Sequence, residues 1–187
     1  MRTILDTDGS DGVERIVKAA LAELPLSGPI LLGPGAATER LAEALPTDSP
    51  LTVVTNAVTI AHNLAPRPEI TVVLLGGRLD RRSGAAIDPW TLETLAQTYA
   101  EVAFVVPDGL SVRRGLTAVD LATATVYSAM IRAARRTVLL VDRFRIGADR
   151  MARFGDLADV DVVITESDVD DHTAAGIASR GPRVVRA

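Results

Sequence analysis

The sequence contains no cysteine and only two histidines among its 187 residues. Without cysteine, neither a disulfide framework nor a thiolate zinc site can form. His62 and His172 have no neighbour at a metal-binding spacing, and the chain carries neither a G-x-S-x-G nor a P-loop pattern. We therefore expect no metal and no cofactor.

Aromatic residues are also scarce, at 3% of the chain, so the core must be packed with Leu, Val, Ile and Ala. Positive charge is outweighed by negative charge, because the formal net charge is -4 and the sequence pI is about 5.2. Proteins that bind phosphate backbones usually present a basic face. We therefore expect that this chain alone does not bind nucleic acid.

Long apolar segments are missing as well. No apolar run reaches the ~18 residues that a membrane-spanning helix needs. Residues 1–8 lack the apolar core of a signal peptide. The sequence predicts a cytoplasmic protein with no membrane partner.

What the chain does contain is a set of five short apolar runs, each ending in a glycine-rich or polar corner. The runs and their corners are 29–32 before Gly33-Pro34-Gly35, 51–54 before Thr55-Asn56, 72–75 before Gly76-Gly77-Arg78, 104–106 before Pro107-Asp108-Gly109, and 138–141 before Asp142-Arg143. Short runs rich in β-branched residues, spaced by helical stretches, are typical of a parallel sheet buried on both faces. Loops at the carboxyl ends of such strands border the crevice where open α/β sheets bind ligands. The five corners are therefore predicted to form one site.

Apolar periodicity and turn residues set the expected elements. The predicted helices are 11–23, 36–45, 56–64, 89–98, 120–135 and 170–179, and the predicted strands are 29–32, 51–54, 70–75, 102–106, 137–141, 160–165 and, at an edge, 183–186. Ser10 or Asp11 is expected to cap the first helix. Strands and helices alternate throughout without a long linker, which predicts an α/β, Rossmann-like domain, mainly a parallel sheet flanked by helices, over 1–187.

The first two corners each allow a structural and a functional interpretation. Gly33 and Gly35 precede a helix, where backbone N–H groups favour an anion. However, glycine is also routine at a strand-to-helix turn, and Pro34 removes one donor. Thr55 and Asn56 suit the N-cap of the next helix better than a ligand contact.

The other corners carry charge. Gly76-Gly77-Arg78 is followed by Arg81 and Arg82, whose guanidinium groups suit phosphate or carboxylate, although a solvated basic loop is the alternative. Asp108-Gly109 could be a plain turn, a contact to a sugar hydroxyl or a general base. Asp142 and Arg145 again place a carboxylate and a cation at a strand end.

Five ordered segments together resemble a known family. They are Leu51-Thr-Val-Val-Thr-Asn56, Val73-Leu-Leu-Gly-Gly-Arg-Leu79, Asp108-Gly-Leu110 with Gly115-Leu-Thr117, Ala129-Met-Ile131 and Leu140-Val-Asp142. From about 12 to 168, the chain resembles the C-terminal effector-sensing domain of DeoR-type transcriptional repressors. That domain has a fold similar to ribose-5-phosphate isomerase.

The resemblance implies a non-enzymatic sensor that binds a phosphorylated sugar or related anionic metabolite. It also implies a homo-oligomer and an attached winged helix-turn-helix that reads DNA, a domain absent from this chain. Two alternatives stay open: a sugar-phosphate isomerase-like enzyme with Asp108 or Asp142 as general base, and a purely structural oligomerisation module.

Some residues depart from the family pattern. The first corner lacks the usual hydroxyl residues, so that Thr38 is the only nearby substitute; Thr125 and Tyr127 replace a usual Glu and Lys, and Arg145 replaces a Lys. These changes imply an altered ligand or weaker phosphate binding. The expected ligand-binding residues are Gly33, Gly35, Thr38, Thr55, Asn56, Gly76, Gly77, Arg78, Arg81, Asp108, Gly109, Asp142 and Arg145.

Overall fold

A seven-stranded, fully parallel sheet forms the centre of the molecule. The structure is a computed structural model and describes residues 7–48 and 50–187. The strands of this sheet are β1 (Gly28–Leu32), β2 (Leu51–Thr55), β3 (Thr71–Leu74), β4 (Val102–Val105), β7 (Thr137–Val141), β9 (Val162–Thr165) and β10 (Arg183–Arg186). Their order is β10-β9-β7-β4-β1-β2-β3, so the predicted parallel sheet is confirmed and 183–186 does form an edge.

Helices cover both faces of the sheet because its strands are apolar on both sides. The helices are α1 (Thr7–Leu21), α2 (Ala36–Glu43), α3 (Val58–Leu64), α4 (Pro89–Ala96), α5 (Leu121–Ala133) and α6 (Asp171–Ala178). Within β1, Ile30 and Leu32 pack in the core that includes residues of α1, α2 and α3, whereas Leu31 packs in the core that includes residues of α4, α5 and α6. Successive strand side chains point to opposite faces, so one strand contributes to two cores.

A second sheet was not predicted. The strands β5 (Gly109–Ser111), β6 (Gly115–Ala118) and β8 (Ala152–Gly155) form a three-stranded antiparallel sheet in the order β5-β6-β8. The prediction that strands and helices alternate throughout was therefore wrong between 106 and 160. These strands have only three or four residues, too few to show a clear period of two.

Two predicted helix caps were wrong. Ser10 and Asp11 lie inside α1, which begins at Thr7. The N-cap of α3 is Ala57 and makes no side-chain cap, so neither Thr55 nor Asn56 has that role. Near α1, residues that favour caps occupy several consecutive positions, and the sequence does not decide among them. At α3 the observed N-cap, Ala57, is not a residue type that favours this position.

Within residues 7–48 and 50–187, no helix is long and apolar enough to cross a membrane.

Candidate functional site

The carboxyl ends of three adjacent central strands, β1, β4 and β7, border a polar cavity. Its volume is about 280 Å³. We call it the corner cavity, and it is lined by Pro34, Gly35, Glu39, Arg82, Ser83, Val106, Asp108, Thr123, Tyr127 and Arg145. The sheet order explains this convergence, because β4 lies between β7 and β1.

A larger cavity of about 400 Å³ lies at the opposite, amino-terminal edge of the sheet, beside Glu23 and Arg136. Glu23 is paired there with both Arg136 and Arg183, at 3.1 and 2.5 Å. We take the corner cavity as the candidate site because open α/β sheets bind ligands at the carboxyl ends of their strands.

Arg145 joins the corners that follow β4 and β7. Its Nε donates to Asp142 Oδ2 at 2.7 Å, and its backbone N–H donates to Asp142 Oδ1 at 3.1 Å. One terminal nitrogen donates to the Pro107 carbonyl at 2.9 Å and lies 3.7 Å from Asp108 Oδ1. Asp108 and Asp142 therefore lie at the same edge of the sheet, and the guanidinium between them is held in one orientation.

Asp108 is fixed from two further directions. Its Oδ2 accepts a hydrogen bond from the Val119 backbone at 3.1 Å, and its carbonyl accepts one from Arg150 Nε at 3.1 Å. These contacts position the carboxylate on the cavity wall before any ligand arrives, as a preorganised binding group should be.

The amino terminus of α2 forms another part of the wall. Gly35 is its N-cap, with φ 147° and no side-chain cap. A Cβ on Gly35 would lie 2.9 Å from the Val106 side chain, so the close approach of the two corners requires glycine. Uncapped backbone N–H groups at a helix start favour an anion.

Five polar residues of the wall were not among the expected ligand-binding residues. Glu39 comes from α2, Ser83 from the loop after β3, and Thr123 and Tyr127 from α5. The spacing of Thr123 and Tyr127 by four residues places them on one helical face, a signal that the sequence did contain. Arg82, considered as a cation but not included with the expected residues, also lines the cavity.

The polar groups around Arg82 and Ser83 are tied to neighbouring carboxylates. Arg82 lies 3.6 Å from Asp120 Oδ2, which also accepts a hydrogen bond from Thr123 at 3.0 Å. The Ser83 hydroxyl donates to Asp80 Oδ2 at 2.8 Å. This contact, the largest of several, lowers the pKa of the Asp80 carboxyl. The loop after β3 is thereby held against α5.

Ten of the expected residues do not line the corner cavity: Gly33, Thr38, Thr55, Asn56, Gly76, Gly77, Arg78, Arg81, Gly109 and Asp142. Several of them stabilise the chain itself. Thr38 and Thr55 are buried and donate to the carbonyls of Gly35 and Leu32, at 2.8 and 2.7 Å.

Asn56 is also buried and donates through Nδ2 to the Ala86 carbonyl at 2.8 Å, while its Oδ1 is enclosed without a partner among the described residues. Glycine is required at position 109 for packing, because a Cβ on Gly109 would clash with the Ala148 carbonyl.

The Gly76-Gly77-Arg78 corner packs against the start of α4. Asp88 caps that helix and accepts a hydrogen bond from the Arg78 backbone at 2.8 Å. Thr91 donates to the Gly76 carbonyl at 2.9 Å. The side chains of Arg78 and Arg81 are exposed, and Gly77 serves the packing of this turn, because a Cβ there would clash with Asp88 and Thr91.

Thr125 and Tyr127 are the two residues of α5 that depart from the family pattern, and only Tyr127 lines the corner cavity. Thr125 is exposed, and its hydroxyl donates to the Leu121 carbonyl at 2.7 Å. Among residues 7–48 and 50–187, no group of three or more acidic or histidine side chains is placed to hold a metal ion.

The fold is that of the ribose-5-phosphate isomerase-like α/β proteins. Ribose 5-phosphate isomerase A from Methanocaldococcus jannaschii superposes with a TM-score of 0.54 at 15% identity, covering 74% of this chain and 55% of that one. The chain belongs to the family described as the DeoR C terminal sensor domain, whose model matches residues 10–167. This result confirms the resemblance expected over about 12 to 168.

Transcriptional regulators are among the similar curated proteins. The glycerol-3-phosphate regulon repressor of Escherichia coli is 27% identical over 154 residues, which are 82% of this chain and 61% of the repressor. The HTH-type transcriptional regulator GlpR of Haloferax volcanii is 28% identical over 175 residues, 94% of this chain and 68% of that protein. The chain thus spans about three fifths of the Escherichia coli relative, and its place among these proteins is that of an effector-sensing domain.

Proposed function

We propose that this domain senses a sugar-type metabolite that carries a phosphate or related anionic group, and that the metabolite binds in the corner cavity. The observation that carries the proposal is the convergence of three anion-binding features on one cavity: Arg82, Arg145 and the uncapped start of α2. The names of the relatives support the ligand class, since one is a repressor of a glycerol-3-phosphate regulon.

The anionic group of the ligand is assigned to the side of the cavity formed by Gly35 and Arg145. Arg145 is oriented by Asp142 and keeps 31% of its side chain exposed. A guanidinium held in this way can bind a phosphate or carboxylate with little further loss of side-chain entropy. Asp108, across from the same guanidinium, is assigned to hydroxyl groups of the ligand.

We propose a regulatory rather than an enzymatic role. An isomerase would need a carboxylate base and a second proton carrier at the substrate. Asp142 does not line the corner cavity, and both of its oxygens accept hydrogen bonds from Arg145. Asp108 remains a possible base, so ribose 5-phosphate incubated with the chain and assayed for a ketose product tests the alternative.

The regulatory role implies partners outside this chain. We propose that 1–187 acts as a single sensing domain in the cytoplasm, as part of a homo-oligomer, and that DNA is read by a helix-turn-helix domain not included in these residues. This proposal rests on the family and on the names of two relatives. One is named a repressor, and the other is named an HTH-type transcriptional regulator.

Replacing Arg145 by alanine tests the site directly. We expect Arg145→Ala to weaken binding of glycerol 3-phosphate or ribose 5-phosphate by roughly ten- to a hundredfold, because a hydrogen bond to a charged group contributes about 1.5 to 3 kcal/mol. Calorimetric titration of both compounds measures the change, and thermal melting of the variant checks that it is folded.

Arg78→Ala is the matched control, since it removes an exposed guanidinium from a corner outside the cavity. It should bind both compounds like the parent. Equal losses in the two variants would point to a general charge effect, and undiminished binding by Arg145→Ala would rule out the proposed anion site.

A further inference from the structure

Tyr127 is a deeply buried polar residue of α5 that lines the corner cavity. Only 5% of the residue is exposed, and its ring packs edge-on against Phe154 with centroids 5.2 Å apart. The ring is therefore fixed by the apolar core, and its hydroxyl has one direction in which to point.

The Tyr127 hydroxyl makes no hydrogen bond to any residue that the structure describes. The Tyr127 hydroxyl is not fully enclosed by protein atoms. It differs in this respect from Asn56 Oδ1 and Thr165 Oγ1, which are both enclosed and without a partner. An unpartnered hydroxyl that is not fully enclosed has accessible surface, and the cavity beside Tyr127 is the corner cavity, so we place the hydroxyl at its wall.

This hydroxyl does not contribute to the internal hydrogen bonding of the fold. Because it lies at the wall of an open cavity, it is accessible to a molecule that enters that cavity. Phenylalanine would fill the same space and keep the edge-on contact with Phe154. A hydroxyl kept at such a position is explained by a partner that arrives with a ligand.

The protonation state of this group is also fixed. Burial and, secondarily, the Asp108 carboxylate raise the pKa of the Tyr127 hydroxyl well above its ordinary value. It stays protonated at physiological pH and can act as a hydrogen-bond donor. The cavity wall as a whole carries two carboxylates, Glu39 and Asp108, and two guanidinium groups, Arg82 and Arg145, so it offers no excess of positive charge.

We propose that Tyr127 is a specificity-determining residue of the corner cavity, and that its hydroxyl donates a hydrogen bond to an oxygen of the hydroxylated part of the ligand. The inference rests on the proposed function, since it assumes that a ligand binds here. It narrows the proposed ligand class to metabolites that carry both an anionic group and hydroxyl groups.

Tyr127→Phe separates this role from a structural one. Ribose 5-phosphate should bind the variant about three- to tenfold more weakly than it binds the parent, as expected for one neutral hydrogen bond. Inorganic phosphate, which lacks hydroxylated carbon atoms, should bind both proteins equally. The variant should melt at the same temperature as the parent or higher, because the hydroxyl makes no hydrogen bond within the described part of the fold.

Tyr99→Phe is the matched control, since Tyr99 is the other tyrosine of the chain and is 58% exposed. This variant should bind ribose 5-phosphate and inorganic phosphate as tightly as the parent does. The near-ultraviolet difference spectrum on adding ribose 5-phosphate gives a second readout, with a tyrosine signal expected in the parent and in Tyr99→Phe but lost in Tyr127→Phe.

Three results would overturn the inference: unchanged ribose 5-phosphate binding by Tyr127→Phe, equal weakening of inorganic phosphate, or a lower melting temperature that reveals a structural hydroxyl. If Arg145→Ala loses ribose 5-phosphate while Tyr127→Phe does not, the proposed function stands and the role of Tyr127 is rejected. If the parent binds neither compound, both proposals are rejected.

Discussion

Two adjacent glycines, Gly76 and Gly77, have different roles at the level of single residues. Gly77 has φ 145°, and a Cβ on it would lie 2.5 Å from Thr91 Oγ1 and would also clash with Asp88. Gly77→Ala should therefore lower the free energy of unfolding by about 2 to 4 kcal/mol, from backbone strain and displacement of the α4 cap. Urea denaturation measures the loss.

Gly76→Ala provides the comparison, because nothing lies within 4 Å of a Cβ at that position and its φ is not positive. Its free energy of unfolding should stay within about 0.5 kcal/mol of the parent value. Similar losses at the two positions would show that the corner needs general flexibility instead of a specific close approach at Gly77.

The expected residues that line the corner cavity follow strands that are neighbours in the sheet. Asp108 and Arg145 follow β4 and β7, which are neighbours, and Gly35 follows β1 on the other side of β4. Asn56 and Arg78 follow β2 and β3, which lie farther along the sheet. The sequence shows that a corner ends a strand, but strand order depends on tertiary packing, so it could not tell near corners from distant ones.

At the level of elements, the cap of α4 predicts a pH dependence of stability. The hydrogen bond from the Arg78 backbone N–H is the main cause that lowers the pKa of the Asp88 carboxyl below its ordinary value of 3.8. Hydrogen bonds from Thr91 and Trp90 at the start of α4 add to this effect. A carboxyl with a depressed pKa stabilises the fold above that value, and the stabilisation is lost as pH falls through the lower folded pKa.

Asp88→Asn should therefore be less stable than the parent at pH 7, and the difference should shrink as the pH falls below 3.8. Denaturation at a series of pH values tests this expectation. Glu93→Gln removes an exposed carboxylate from the same helix without touching the cap, and so controls for net charge. If the difference in the free energy of unfolding between the parent and Asp88→Asn stays constant as the pH falls below 3.8, the proposed pH dependence is excluded.

Elements were predictable where a run was long and apolar. The strand β7, all of whose residues are buried, was predicted with its exact bounds, 137–141. The short strand β5 was not predicted, because its burial depends on a partner strand and on Ile146 rather than on its own pattern. Local sequence determines a strand that lies in the middle of the sheet better than one completed by distant loops.

At the scale of the whole molecule, Glu166 links the corner that follows β7 to the first helix. The Arg143 backbone donates to Glu166 Oε1 at 3.2 Å. The Glu166 side chain in turn lies over Gly12 of α1, where a Cβ would be 2.9 Å from its carboxyl carbon. Arg143 lies in the same corner as Asp142 and Arg145, the residue pair at the corner cavity. Through Glu166, this corner is therefore linked to α1.

Charge at the same scale predicts how the chain behaves toward DNA. The net charge is -4, and many arginines are paired with carboxylates, such as Arg136 and Arg183 with Glu23. A net negative charge disfavours binding to the phosphate backbone of DNA. We therefore expect these 187 residues alone to show no sequence-specific binding to duplex DNA.

A gel-shift titration against a pool of random duplexes at physiological salt tests this expectation. Any retention seen at low salt should disappear as the salt is raised, because non-specific binding depends on counterion release. Sequencing of the retained duplexes provides the decisive measurement, since a purely electrostatic contact selects no sequence. Enrichment of a defined site at physiological salt would show that this domain itself reads DNA, and the division of labour proposed for sensor and reader would have to be abandoned.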